Sequence, residues 1–236
     1  MNFGIIAAGE GSRLVEEGVA YPKPLVPLCG EPMIGRLINI FLRNGAGKIC
    51  VIVNEHMHEV REYLEALAPT LPVALEMVVK TTPSSMHSFY EIGSLLADGG
   101  RFIVTTVDTI FHEADFTRYV EAYRGAPETV EGMMALTSYI DDEKPLYVDV
   151  DARNRITAFR DEPFPGVKYV SGGIYGLSAP AVKVLDDCLN RGVSRMRNYQ
   201  RALVESGMVL KGYDMGKIID VDHAGDIAKA EAFLKA

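Results

Sequence analysis

The first 25 residues contain a cluster of residue types that bind phosphate. A short apolar run at residues 3–8 is followed by a glycine-rich turn at residues 9–13, and Lys23 follows between two prolines. Glycine bends the backbone sharply and leaves its amide groups open to a ligand. Arg13 adds a permanent cation with several donors, and the flanking prolines restrict where the Lys23 ammonium can lie. Together these groups favour a polyphosphate ligand.

The glycine turn does not identify its ligand by itself. It lacks the GxxxxGK[ST] pattern of a Walker loop, and Arg13 and Leu14 stand where the GxGxxG fingerprint needs its last glycine. A strand followed by a tight turn and a surface arginine explains the same residues equally well.

The wider pattern is more specific. AAGEGSRL followed by PKPLVPL resembles the N-terminal signature of the sugar-1-phosphate nucleotidyltransferases, which make nucleoside-diphosphate sugars. The resemblance implies that the glycine loop and Arg13 hold a triphosphate and that Lys23 contacts phosphate near the reacting centre. The residues that it assigns to nucleotide binding in this loop are Ala7, Ala8, Gly9, Glu10, Gly11, Ser12 and Arg13.

Asp108 is the first candidate metal ligand, because it follows the apolar run FIVTTV. A carboxylate at the carboxyl end of a parallel strand is well placed to bind a Mg²⁺ that bridges substrate phosphates. The alternative is an aspartate that forms a turn at the end of a strand. In the resembling family the aspartate that ends this strand is a metal ligand, which favours that role for Asp108.

The second candidate lies in IDVDHAGD, residues 219–226, which resembles the closing D-x-D-T-P-x-D-L segment of the same family. The resemblance implies Asp222 as the second Mg²⁺ ligand, although His223 and Ala224 replace the family's Thr and Pro. Asp220 is a rival, because residues two apart in an extended segment point to the same side. Asp226 is expected to interact with the dipole of the last helix.

The resemblance implies a mechanism without a protein nucleophile. The phosphate of the acceptor attacks, and the cations and the metal stabilise the charge that develops as pyrophosphate leaves. The sequence shows no serine–histidine or cysteine–histidine arrangement that would favour covalent catalysis. The predicted catalytic residues are Arg13, Lys23, Asp108 and Asp222.

The acceptor side is less well defined. VSGGIY at residues 170–175 resembles the family segment in which a glycine, here Gly173, lets an acceptor sugar approach the backbone, and Tyr175 is interpreted as a core residue. Asp161 stands where the sugar enzymes have the lysine of E-K-P. Lys168 either replaces that charge or is simply an exposed lysine. Asp161, Lys168 and Gly173 are therefore assigned to the acceptor side, and the identity of the acceptor stays open.

The segment TPSSMHS, residues 82–88, occupies the place of the family's base-binding loop. It is more similar to the loop of cytidylyltransferases that act on phosphocholine or other phosphorylated alcohols. Ser84, Ser85 and Ser88 are candidate base contacts. Ser84 or Ser85 is also expected to cap the helix that follows.

Four functions are consistent with these residues. The leading hypothesis is Mg²⁺-dependent nucleotidyl transfer from a nucleoside triphosphate to a sugar 1-phosphate, and the second is cytidylyl transfer to phosphocholine or a similar phospho-alcohol. A glycosyltransferase of related fold would use an Asp-x-Asp motif, and Asp149 and Asp151 have that spacing. A module that senses nucleotide without turnover is the fourth, and it is disfavoured by the intact set Arg13, Lys23, Asp108 and Asp222.

Composition excludes other classes of partner. The chain has 236 residues and a net charge of −8, which argues against nucleic acid binding. Its three cysteines lack metal-ligand spacing and are interpreted as buried free thiols. The sequence shows neither a signal peptide nor a membrane-spanning run, so a cytoplasmic protein without a membrane partner is expected. Homo-oligomerisation stays open.

Hydrophobic periodicity predicts the elements that must position these residues. Strands alternate with helices up to about residue 115, which predicts a parallel sheet that binds ligands at the carboxyl ends of its strands. Beyond this point strands predominate. The predicted class is therefore α/β, a Rossmann-like three-layer α/β/α fold with a mixed, mostly parallel central sheet. We expect one domain over residues 1–236, with a nucleotide-binding half (1–115) and an acceptor-binding half (116–236).

Individual segments follow from the same patterns. Strands are predicted at residues 3–8, 49–53, 73–79, 102–107, 133–140, 146–150 and 156–159 and within 168–177. Helices are predicted at residues 30–45, 57–67, 85–96, 179–190, 195–205 and 224–234, with a further helix that begins at Asp115 as its N-cap and runs to residue 123.

Overall fold

The computed structural model describes all residues from Met1 to Ala236. The strands are β1 (Asn2–Ala7), β2 (Pro27–Leu28), β3 (Glu31–Pro32), β4 (Lys48–Val53), β5 (Ala74–Val79), β6 (Phe102–Thr106), β7 (Thr109–Ile110), β8 (Gly132–Thr137), β9 (Tyr147–Val150), β10 (Ile156–Arg160), β11 (Tyr169–Leu177), β12 (Leu210–Asp214) and β13 (Ile219–Asp220). The helices are α1 (Ser12–Glu16), α2 (Met33–Arg43), α3 (His58–Leu67), α4 (Ser85–Ala97), α5 (Glu113–Arg124), α6 (Ala179–Asn190), α7 (Met196–Glu205) and α8 (Ala224–Leu234).

A nine-stranded sheet runs through both halves of the chain. β1 lies between β4 and β6, and β5 extends β4; all of these pairs are parallel. β11 is antiparallel to β6, β8 and β9, and β12 pairs with β8 in parallel. The predicted α/β class, with a mixed sheet between helical layers, is confirmed.

Both faces of the sheet are covered by apolar side chains, as the continuous apolar run of β1 requires. Phe3 and Ile5 belong to a cluster of 33 buried residues shared with α2, α3, α5 and α8. Ile6 belongs to a cluster of 27 buried residues shared with α4, α6 and α7. This odd–even division follows from the two-residue period of a strand, and it packs β1 against both helical layers up to the glycine loop.

Several predicted boundaries are corrected. The predicted helix 30–45 begins only at Met33, because the hairpin formed by β2 and β3 comes first. The N-cap of α5 is His112, and Asp115 lies in the first turn instead. Aspartate is favoured at both positions, at the cap by hydrogen bonding and in the first turn by the helix dipole, so composition does not separate them. β8 ends at Thr137 rather than at residue 140.

The cysteines also differ from expectation. Cys50 and Cys188 are buried free thiols as predicted, but Cys29 is exposed. It lies between β2 and β3 with a positive φ of 53°. No helix of the chain is both long and apolar enough to span a membrane.

Candidate active site

The predicted nucleotide-binding residues come together at the carboxyl ends of the parallel strands. The glycine loop follows β1, Asn54 follows β4, the threonine and serine segment 81–85 follows β5, and Asp108 follows β6. Because these four strands are adjacent and parallel, their carboxyl ends form one edge of the sheet. Ligand-binding loops are therefore grouped by the topology itself.

These loops surround a cavity of about 710 Å³, which we call the glycine-loop cavity. Every residue predicted to bind nucleotide lines it except Arg13. The predicted residues that line it are Ala7, Ala8, Gly9, Glu10, Gly11, Ser12, Lys23, Ser84, Ser85, Ser88 and Asp108.

Gly11 holds the loop against Lys23. Its φ is +63°, and a Cβ built on it would lie 2.8 Å from the Cβ of Lys23. A side chain at this position would be strained in its backbone and would overlap the lysine stem. The loop can therefore pack on Lys23 only because residue 11 is glycine.

The ammonium of Lys23 lies between two carboxylates. Its Nζ is 2.5 Å from Oδ2 of Asp108 and 2.7 Å from Oδ1 of Asp222. Lys23 begins a short 3₁₀ turn (Lys23–Leu25) between its flanking prolines, and it is only 9% exposed. Burial acts to lower the pKa of Lys23, but the two facing carboxylates outweigh it and raise that pKa above its usual value. Burial acts to raise the pKa of Asp108, and Lys23 and Thr106 hold it below its usual value.

Asp222 reaches this point through contacts that tie the end of the chain to the end of β6. β13 pairs with β7, and the amide of Val221 donates to the carbonyl of Asp108 over 3.1 Å. The carboxylate of Asp226 accepts from the amides of Asp222 and His223 over 3.2 and 2.9 Å. Asp226 thus lies in the first turn of α8 as expected, and it fixes the backbone of Asp222.

Arg13 contacts the carboxylate of Asp222 from its solvent-exposed side. Its Nη1 lies 3.4 Å from Oδ2 of Asp222, and both side chains are about half exposed. Because an exposed pair at this distance is weak, Arg13 is free to turn toward a bound ligand.

Asp220, the rival ligand, has no cation partner. Its side chain is exposed, and the carboxylates of Asp108, Asp222 and Asp142 lie nearby. Desolvation of the carboxyl group in the cleft, followed by repulsion from these carboxylates, raises the pKa of Asp220 above its usual value.

The residues present fit a magnesium ion that arrives with phosphates. No group of three or more His, Cys, Asp or Glu side chains is arranged to hold a metal. However, oxygens of Asp108 and Asp222 converge on one point, where the Lys23 ammonium now lies. Mg²⁺ characteristically uses one or two carboxylates together with substrate phosphates and water, rather than a complete protein cage.

A second cavity, of about 360 Å³, adjoins the first and is called the acceptor-side cavity. Ser85, Thr106 and Asp108 line both cavities, so Asp108 lies at their junction. Gly173 and Tyr175 also line the acceptor-side cavity. Tyr175 is 5% exposed, which agrees with its interpretation as a core residue, while Gly173 has a φ of +73° that favours glycine.

Basic residues that the sequence did not suggest line the acceptor-side cavity. They are Lys144, Arg195 and Arg197. Arg195 precedes α7 with a positive φ of 72°, and its amide donates to the hydroxyl of Ser84 over 3.2 Å. The run SRMR was the available signal, but nothing local indicated that Arg195 lies beside Ser84, in the segment after β5.

Asp161 and Lys168 line neither the glycine-loop cavity nor the acceptor-side cavity. The carboxylate of Asp161 is 2.7 Å from Arg197 and 2.7 Å from Arg201. It is therefore engaged in holding β10 to α7. Lys168 is exposed, as its alternative interpretation stated.

The third cavity, of about 240 Å³, is strongly acidic, and we call it the acidic cavity. It shares Asp142, Ser171, Asp220 and Asp222 with the acceptor-side cavity. Its further charged lining residues are Arg13, Asp141, Glu143, His223, Asp226 and Lys229.

Asn54 and the serine segment organise the glycine-loop cavity. Nδ2 of Asn54 donates to the carbonyl of Ala8 over 3.2 Å, and its Oδ1 accepts from Thr81 over 3.1 Å. Asn54 therefore joins the glycine loop to the segment after β5, a role that the sequence reasoning missed. Ser84 occupies the N-cap position of α4, but its hydroxyl pairs with His87 Nδ1 at 2.8 Å and not with a helix amide.

The Asp-x-Asp spacing of Asp149 and Asp151 belongs to a hairpin. Oδ1 of Asp151 accepts from the amides of Arg153 and Arg155, each over 2.8 Å, and Asp149 pairs with Arg160. These carboxylates stabilise the turn between β9 and β10 and line none of the three cavities.

Similar sequences and similar structures are found among known proteins. A family model described as nucleotidyl transferase matches residues 4–235. A glucose-1-phosphate thymidylyltransferase from Actinoplanes sp. is 27% identical over 180 residues, which cover 76% of this chain and 58% of that protein. A 2-aminoethylphosphonate cytidylyltransferase from Lancefieldella rimae is 33% identical over 99 residues, or 42% of this chain and 39% of that protein.

The chain spans about half the length of the curated relatives that it matches. Among solved structures, the inositol-1-phosphate CTP transferase from T. maritima superimposes with a TM-score of 0.81. The match covers 99% of this chain and 96% of that chain at 16% identity, so it shows a common fold.

Proposed function

Because the chain belongs to the nucleotidyl transferase family, we propose that it transfers a nucleotidyl group from a nucleoside triphosphate to a sugar 1-phosphate, with release of pyrophosphate. One observation carries the proposal. Asp108 lies at the junction of the glycine-loop and acceptor-side cavities, and the Lys23 ammonium joins it there to Asp222. A donor and an acceptor in the two cavities would meet at this point.

In the proposed reaction an oxygen of the acceptor phosphate attacks the α-phosphorus of the nucleotide. A new bond forms between that oxygen and phosphorus, while the bond to the bridging oxygen breaks and its electron pair leaves with pyrophosphate. The acceptor phosphate is already an anion, so no general base is needed. Catalysis then depends on positioning and on stabilisation of the charge that moves to the leaving group.

Each group near the junction has a role in this proposal. Backbone amides of the loop around Gly9 and Gly11 would bind the phosphate chain, as amides in a tight turn bind anions. Lys23 and Arg13 would stabilise the negative charge on the triphosphate, and Arg195 would hold the acceptor phosphate. Asp108 and Asp222 would hold Mg²⁺. When bound, this ion supplies positive charge that polarises the phosphoryl oxygens and neutralises the leaving pyrophosphate.

A second candidate acceptor is favoured by the acidic cavity. Asp142 and Asp220 line both this cavity and the acceptor-side cavity, while Lys144 and Arg195 provide opposite charge. Such a site suits a small molecule with an anionic phosphate or phosphonate at one end and a cationic amine at the other. Cytidylyl transfer to a phospho-alcohol or an aminophosphonate, the latter named for one relative, is therefore the alternative.

The experiment is a matrix of pyrophosphate release with Mg²⁺. Each of the four ribonucleoside triphosphates and dTTP is combined with glucose 1-phosphate, mannose 1-phosphate, N-acetylglucosamine 1-phosphate, inositol 1-phosphate, phosphocholine and 2-aminoethylphosphonate. Release that needs one triphosphate and one sugar 1-phosphate supports the leading proposal. Release only with inositol 1-phosphate, phosphocholine or 2-aminoethylphosphonate supports the alternative. If the protein binds a triphosphate but no pair gives pyrophosphate release, at acceptor concentrations up to about 10 mM, the result contradicts both proposed reactions.

A further inference from the structure

The Lys23 ammonium lies at the point on which the proposed metal ligands converge. Its distances to Asp108 and Asp222 are 2.5 and 2.7 Å, and both carboxylates contact it at once. Two carboxylates that face each other repel unless a cation lies between them. In the structure, Lys23 is that cation.

We propose that Lys23 is a positioning residue that holds Asp108 and Asp222 together before the metal binds, and that a divalent ion can bind there only after nucleotide phosphates draw the ammonium away. The inference rests on the proposed function, because it requires these two carboxylates to be the metal ligands. Beyond that function, the inference states that the metal and the nucleotide bind together rather than independently.

The surroundings of Lys23 allow this exchange. Its stem packs against Gly11, and the residue lines the glycine-loop cavity. A lysine carries a compact charge on a flexible stem of four carbons, so the ammonium can turn from the carboxylates to the phosphates while the backbone stays in place. A triphosphate in the cavity would offer the Lys23 ammonium several anionic oxygens, in place of the two carboxylate oxygens that it now contacts.

The site is also incomplete for a metal without nucleotide. No group of three or more potential ligand side chains is arranged around a common point. A metal that arrived alone would meet two carboxylates already paired with a cation. With nucleotide bound, the phosphates would supply the missing oxygen ligands and would also compete for Lys23.

The test measures binding of Mn²⁺ alone, by its electron paramagnetic resonance signal, to wild type and to Lys23→Met. Methionine keeps an unbranched stem against Gly11 and removes the charge. We expect Lys23→Met to bind Mn²⁺ alone at least ~10-fold more tightly than wild type, as expected for the loss of competing charge-assisted hydrogen bonds. The double variant Lys23→Met,Asp222→Asn should lose this gain in Mn²⁺ affinity. A general change in the stability of the protein would not produce that loss.

Lys229→Met is the matched control. Lys229 lines the acidic cavity with Asp222, and it contacts Asp141 and Asp226 instead of Asp108 or Asp222. The substitution removes the same charge from the same cleft. An equal gain in Mn²⁺ affinity in Lys229→Met would show that overall charge is responsible and would overturn the inference.

Wild type supplies an independent measurement that needs no folded Lys23 variant. Its affinity for Mn²⁺ should rise at least ~10-fold when the triphosphate active in the pyrophosphate assay is present, since coupling between two ligands is reciprocal. Tight Mn²⁺ binding by wild type without nucleotide would overturn the inference and leave the proposed function standing. Pyrophosphate release that persists unchanged without any divalent metal would instead contradict the proposed metal site and, with it, the inference.

Discussion

Gly11 contacts the stem of Lys23 so closely that no other residue type fits: a Cβ at position 11 would lie 2.8 Å from the lysine Cβ, in a backbone with a φ of +63°. The residue that shapes the glycine loop therefore also sets the position of the lysine that joins the two carboxylates. The glycine loop and Lys23 are therefore packed together as one structural unit.

Gly11→Ala should therefore disturb both stability and nucleotide binding. The strained backbone and the overlap with Lys23 should cost about 1 kcal/mol or more of the free energy of unfolding, measured by urea denaturation. Gly9→Ala is the control, because a Cβ there meets nothing within 4 Å and its φ is not positive. Equal stability of the two variants would contradict the packing role of Gly11.

Asp108→Asn should lower the rate of pyrophosphate release by roughly a hundredfold or more, by analogy with the loss of one electrostatic stabiliser in other enzymes. Asp222→Asn should have a comparable effect, and Asp220→Asn a smaller one, since Asp220 does not contact Lys23. The comparison is made at saturating Mg²⁺ with each variant's folding checked by circular dichroism. A severe defect in Asp220→Asn beside a nearly normal Asp222→Asn would reassign the metal ligand.

Arg195→Ala should raise the KM for the acceptor by roughly 10- to 100-fold and leave the KM for the triphosphate nearly unchanged. The expected size is that of a lost hydrogen bond to a charged group. Lys168→Ala is the control, because this exposed lysine lines none of the three cavities. If Lys168→Ala raises the acceptor KM and Arg195→Ala does not, the acceptor phosphate is bound elsewhere.

The three thiols should differ in reactivity. Cys29 is exposed, whereas burial raises the pKa of Cys50 to about 12 and raises the pKa of Cys188 above its usual value. A raised pKa keeps a thiol protonated and unreactive at pH 8. Titration with a thiol reagent should therefore detect one group in the native protein and three after denaturation. Rapid modification of Cys50 in the native state would contradict this structure of β4.

The residues predicted from sequence were those whose signals are local. The glycine loop and Asp108 each follow a short apolar strand, and Lys23 lies between two prolines, so each motif could be recognised from neighbouring residues. The structure brings these residues to one edge of the sheet.

The remaining features depend on contacts between distant segments. Arg195 reaches the acceptor-side cavity because α7 packs beside α4. No local sequence pattern predicts that contact. β7 and β13, which bring Asp222 to Asp108, have two residues each, too few for periodicity to be detected. Asp161 was assigned from its place in a motif, but its two arginine partners come from α7, more than thirty residues later.

The central claim is that the acceptor phosphate attacks the α-phosphorus beside Asp108 and Lys23. It is tested most directly with an acceptor whose phosphate carries ¹⁸O, using the pair found active in the release assay, with products followed by ³¹P nuclear magnetic resonance. The account predicts that ¹⁸O appears in the bridge between the two phosphorus atoms of the product and that released pyrophosphate contains none. Labelled oxygen in the pyrophosphate, or an unlabelled bridge, would contradict it.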